Sequence, residues 1–165
     1  MKRIARDSSD YRPILLLFYE EEVIGEALFL GLAARFTAPD QSEKARLLSQ
    51  MERRVADAVR PLLERHALFP RSDSELHAIG AAEASALRHL SWDAFLRKIE
   101  AEFPVFLEEF AALNRVAPAT DRPALAAFDD HEIATIDFAR RELAGDSDSK
   151  APLTAFIERF GPGRP

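Results

Sequence analysis

Cysteine is absent from the 165-residue chain, which removes disulfides, thiolate metal sites and cysteine nucleophiles from consideration. Basic segments are lacking too. The net charge is −6 and no run or stripe of Lys and Arg stands out, so nucleic acid is not an expected partner. Thr, Val, Tyr and Ile are sparse beside Ala and Leu, and no segment alternates apolar and polar residues as a half-buried strand would. The longest apolar stretch, Ile14 to Phe36, is interrupted by Glu20, Glu21, Glu22 and Glu26, so no membrane span is expected. Met1 to Pro13 carries basic residues without the apolar segment of a signal peptide, which makes a cytoplasmic location the expectation. A Gly-x-Ser-x-Gly elbow, a Walker loop and a dinucleotide fingerprint are all missing.

What remains is a chain rich in helix formers. Apolar residues make up 47% of it, enough to bury a core within one domain spanning residues 1–165. Pro13 suits the first turn of a helix over about 14–36, and the break Thr37-Ala38-Pro39-Asp40 follows, with Asp40 as an N-cap. A second helix is expected over 41–66, with Pro61 kinking or shortening it. A short Ala-rich helix over 75–90 is weakened by Gly80. Ser91 caps a third long helix over 92–115 that bends at Pro104. Asp121 or Thr120 caps a fourth over 123–144, closed by Gly145, and a last short helix covers 151–160. The fold class is therefore all-α: an antiparallel four-helix bundle with one or two short additional helices.

A helix advances ~100° per residue, which sorts side chains onto faces. On the first helix Leu15, Phe18, Tyr19, Val23, Phe29, Leu30 and Ala33 share an arc. Glu22 and Glu26 fall near its middle, while Glu20 and Glu21 fall outside it and are expected in solvent. Glu52 lies in the apolar arc of the second helix and Glu132 near the centre of that of the fourth, with His131 at the edge. On the third, Glu102 and Glu109 flank the row Phe95, Ile99, Phe103, Phe106 and Phe110, and either is eligible as the inward carboxylate. An unpaired charge in an apolar interior costs several kcal/mol, so such carboxylates are protonated, paired or bound to a cation. Thirty positions separate Glu22 from Glu52, and thirty separate Glu102 from Glu132, as two similar helix hairpins would give.

With one inward Glu per long helix, the sequence resembles the ferritin-like superfamily. The residues that carry the resemblance are Glu22 in Glu-Val-Ile-Gly-Glu-Ala-Leu-Phe, Glu52 in Met-Glu-Arg-Arg-Val-Ala, Glu102, and Glu132 in His-Glu-Ile-Ala-Thr-Ile-Asp-Phe-Ala, across residues 14 to 145. The resemblance implies a di-iron or di-manganese centre on Glu22, Glu52, Glu102 and Glu132, with Glu26 and His131 as further candidates, and O2- or peroxide-dependent redox chemistry. The chain departs from the family pattern where a His should follow the second- and fourth-helix Glu by three positions. Val55 and Thr135 stand there instead. His131 points ~100° away from Glu132, and His66 lies about four turns beyond Glu52. Three outcomes stay open: an oxygen-rich set favouring Mn or Mg, a shifted register, or a lost site. The alternative function, from a different class, is a metal-free bundle serving as a ligand-binding or protein-interaction module. The broad apolar circumference of the first helix also offers a face for a homodimer. The substrate is not legible.

Overall fold

A computed structural model of the chain describes residues 10–161, and no strand occurs among them. Seven helices do: α1 (Tyr11–Arg35), α2 (Pro39–Arg65), α3 (Asp73–Ala86), α4 (Trp92–Glu102), α5 (Pro104–Val116), α6 (Arg122–Leu143) and α7 (Ala151–Arg159). No helix among the described residues is long and apolar enough to cross a membrane.

Local chemistry sets the boundaries. Asp10 caps α1 by accepting from the Arg12 N–H, and Ser72 with Glu75 forms a reciprocal capping box at the start of α3. α2 starts one residue before the expected cap: Pro39 occupies its first position and Asp40 lies in its first turn. Pro61 neither ends nor shortens α2, which continues to Arg65. The proline ring is exposed and the one lost backbone bond is outweighed by burial of Val59, Leu62 and Leu63 on the opposite side. At Pro104 the effect is stronger. The expected single third helix divides there into α4 and α5, with Phe103 between them. Asp121 precedes α6 in an αR conformation and makes no cap bond; its side chain turns inward instead. Gly145, at φ +73°, closes α6, with its N–H donating to Glu142 O and that of Asp146 to Arg141 O, a Schellman ending.

Side-chain pairs fix the helix directions. Ser42 bonds Ala33 O and Ser49 bonds Glu26 O, so α1 and α2 run antiparallel. Arg71 reaches Glu20, His77 reaches Glu26, and Gly31 meets Ala84, so α3 runs parallel to α1. Lys44 bonds Glu142 while Arg65 bonds Asp121, which sets α2 antiparallel to α6. Trp92 bonds Glu142 and Asn114 bonds Asp129, so α4 and α5 descend against α6. α6 touches α2, α4, α5 and α7.

α3 is a larger participant than its length suggests. Gly80, expected to weaken it, is buried against α1, where an added Cβ would stand 2.2 Å from Ile24 O and 2.9 Å from Leu28 N. The missing side chain allows the two backbones to approach. α3 covers part of the α1 circumference that the sequence offers to a second copy of the chain. It also explains Glu20, which is buried rather than solvated. Arg71 at the foot of α3 clasps it through its backbone N–H (2.8 Å), Nε (3.0 Å) and Nη2 (2.7 Å).

At one end of the molecule Asp121 is fully buried and accepts hydrogen bonds from Tyr11 (2.8 Å), Arg65 (2.5 Å), His66 (2.5 Å) and Thr120 (3.1 Å), joining α1, α2 and α6. These bonds hold its carboxyl down at about 2, against the upward push of burial.

Candidate metal centre

In the middle of α1, α2 and α6 the core turns polar. Glu22, Glu52, His131 and Glu132 are 4%, 7%, 3% and 4% exposed, on helices whose Val23, Leu48, Met51, Val55 and Phe128 are fully buried. Each of Glu22, Glu52 and His131 offers one ligand atom that lies within 4.8 Å of the other two. His131 Nε2 is 3.4 Å from Glu22 Oε2, 4.0 Å from Glu52 Oε1 and 3.6 Å from Glu132 Oε2.

The imidazole is held from behind. Its Nδ1 lies 3.2 Å from the Ala127 carbonyl oxygen, which can only accept, so Nδ1 carries the hydrogen and Nε2 presents its lone pair to the carboxyls. The rings of Phe110 and Phe156 stand 6.0 and 6.3 Å from it. Burial in this wall pulls the His131 pKa down to about 4, against the backbone carbonyls of Phe128 and Ala127, and keeps the ring neutral at pH 7.

The carboxyls are pushed the other way. Burial, and then the charge of Glu52, raises Glu22 well above the usual carboxylate range. Burial lifts Glu52 to about 8, with a hydrogen bond from Glu22 offsetting part of the rise. Glu132 is raised well above its ordinary value by burial and by Glu52. Three acids and one neutral base thus share a buried site, and two of their oxygens, Glu22 Oε2 and Glu132 Oε1, have no hydrogen-bond partner. Buried polar atoms ordinarily find one.

A glycine makes room for this grouping. At Gly25 on α1 an added Cβ would stand 2.6 Å from Glu52 Oε2 and 2.9 Å from its Cδ. The Glu52 side chain therefore crosses from α2 over a bare patch of α1 backbone.

Of the six residues proposed from sequence, four converge and two do not. Glu26 lies a turn beyond Glu22 but pairs with Arg53 of α2 and, at 3.1 Å, with His77 of α3. Its position on the arc was shared by a third helix that the wheel does not anticipate. Glu102 is exposed and bonded to Lys98 Nζ at 2.5 and 2.6 Å. It ends α4 immediately before the break at Phe103–Pro104, so the matched spacing with Glu132 does not bring it inward. Glu109 on α5 is the buried one of that pair, outside the Glu22–Glu52–His131 set. His131, which the wheel set apart from Glu132, reaches the same space because α6 is enclosed on several sides and two faces ~100° apart are both interior. The signal was present in α6 itself, where Phe138 falls beyond His131 on the wheel and extends the apolar arc past it.

No family model, no curated protein and no solved structure matches the chain.

Proposed function

We propose that the chain is a ferritin-like bundle whose interior carries a metal centre, with Glu22, Glu52 and His131 as ligands and Glu132 beside them. The observation that carries the reading is the grouping of three buried donors within 4.8 Å of one another, with unpartnered carboxyl oxygens on Glu22 and on neighbouring Glu132. The donor set suits a hard divalent cation such as Fe or Mn, since two carboxyl oxygens and one imidazole nitrogen match their preference. The tautomer held by Ala127 leaves the correct nitrogen free, and such support behind a ligand histidine is typical of metal sites. Bound iron or manganese supplies one-electron chemistry toward O2 or peroxide. The residues here supply the binding pocket, exclude water through Phe110 and Phe156, and give up protons when the cation enters.

The helix order supports the ferritin-like part of the proposal. α1 and α6 point one way, and α2 and the α4–α5 pair the other, with α3 as the long return between the two descending members. One long crossover is the connection that ferritin-like bundles use.

A second reading rests on Val55 and Thr135, which stand where that family places its two imidazoles. On this reading the carboxyls keep their protons and the bundle is a metal-free binding module. Elemental analysis of purified, untagged protein grown with iron and manganese separates the two. Stoichiometric Fe or Mn that disappears in Glu22→Gln supports the centre. Protein that stays folded, holds no metal and gains no melting temperature from added Mn(II) or Fe(II) supports the module.

A further inference from the structure

We infer that the centre takes a single cation on Glu22, Glu52 and His131, with Glu132 as a neighbour outside its coordination; this rests on the metal-centre reading above. The expected di-metal arrangement needs a carboxylate from each of four long helices. α1 and α2 each provide one, and α6 provides His131 and Glu132. The fourth wall does not contribute in the expected way. Glu102 is outside and held by Lys98, Glu109 of α5 is buried but does not belong to the Glu22–Glu52–His131 group, and the ring of Phe110 on α5 stands 6.0 Å from the imidazole.

Distances separate the carboxyls into two kinds. The ligand atoms of Glu22, Glu52 and His131 are all within 4.8 Å of each other, and Glu132 is not a member of that set although its Oε2 lies 3.6 Å from His131 Nε2. Donors around one such cation at ~2.1 Å are at most ~4.2 Å apart. The set of three therefore closes on one ion with small adjustments, while Glu132 approaches it on the imidazole side. A second ion ~3.5–4 Å from the first requires its own donors. Glu132 adds one carboxylate, and no second group of three such donors occurs among the described residues.

The test is an anaerobic titration of full-length protein with Mn(II) at pH 7.5, followed by calorimetry and by the electron paramagnetic resonance signal of free Mn(II). One equivalent is expected, without the magnetic coupling of a manganese pair. Glu22→Gln, Glu52→Gln and His131→Ala each weaken binding more than about 100-fold, and Glu132→Gln less than about 10-fold, the lower end for a supporting residue. Two equivalents with coupled spins overturn the single-ion assignment and leave the centre standing. Loss of binding in Glu132→Gln as deep as in Glu22→Gln overturns the role given to Glu132. A wild-type chain that binds no Mn(II) overturns the centre itself. The stoichiometry is read on wild-type protein, so it does not depend on any variant folding.

Discussion

Replacing Gly25 by Ala tests whether the space beside α1 exists for the Glu52 carboxyl. The new methyl would stand 2.6 Å from Oε2, 2.9 Å from Cδ and 3.3 Å from Cγ of Glu52. Ordinary contact requires about 3.5–4 Å, so the carboxyl must retreat by about 1 Å. Ligand positions tolerate only about ±0.2 Å, and the retreat removes one of three donors. Stability moves the other way. The atoms displaced are the end of a flexible side chain, and Gly→Ala inside a helix contributes about 0.5–1 kcal/mol, or about 1–4 °C in melting temperature for a domain of this size. Metal-free Gly25→Ala is therefore expected to melt at or slightly above the wild type. With Mn(II) at about 100 times the wild-type Kd, the wild type gains about 2.7 kcal/mol and the variant gains little. Thermal denaturation with and without Mn(II) measures both. A variant that keeps the full metal-induced gain would refute the reasoning about Glu52, and one that loses more than about 2 kcal/mol without metal would show that the clash falls on the helix packing.

Further expectations concern the apo protein and its packing. Glu52 keeps its proton in the folded state up to about pH 8 and loses it in the unfolded chain near 4.5, so its contribution is complete below pH 4.5 and is lost as pH rises through 8. Glu22 and Glu132 act in the same direction, whereas His131, lowered to about 4, withdraws stability only as pH falls below 6.5. Urea titrations of metal-free protein should show stability declining from pH 6.5 to 8, and a flat or rising profile would contradict the protonated cluster. Gly80→Ala places a methyl against α1 backbone with no side chain to yield, so a loss of about 3 kcal/mol is expected by urea denaturation, in contrast to Gly25→Ala. Asp121→Ala leaves Tyr11, Arg65 and His66 without their shared acceptor and should cost about 3 kcal/mol at pH 7, without altering Mn(II) stoichiometry in the folded fraction.

The helical class and most boundaries were legible because Pro and Gly punctuate strongly periodic segments. The pairing of Glu22 with Glu52 was legible too, since both lie on uninterrupted helices joined by a tight turn, where spacing converts directly into register. The match between Glu102 and Glu132 was equally regular on paper but crosses Pro104, and a proline break discards phase. His131 was kept as a further candidate but set at the edge of its arc, because a wheel assumes one buried face per helix. α6 has neighbours on several sides, a property of tertiary packing that a single helix does not declare. Glu20 and Glu26 went astray for one shared reason: α3, read as an accessory, and the residues leading into it cover their side of α1 and supply His77 and Arg71. Asp121 was read as a cap by its residue type, and its real partners arrive from α1 and α2, far away in sequence.

The position of His131 in the chain has a consequence for biogenesis. α1 packs against both α2 and α3, so the first half of the polypeptide can gather through short loops as it emerges. It brings Glu22 and Glu52 together early, as two acids without a base. The imidazole arrives only when α6 docks, after α4 and α5 have been made. A truncated product ending before α6 would hold both carboxyls and none of the nitrogen, so if the proposed centre holds a cation, its retention would mark chains in which α6 has been made and docked.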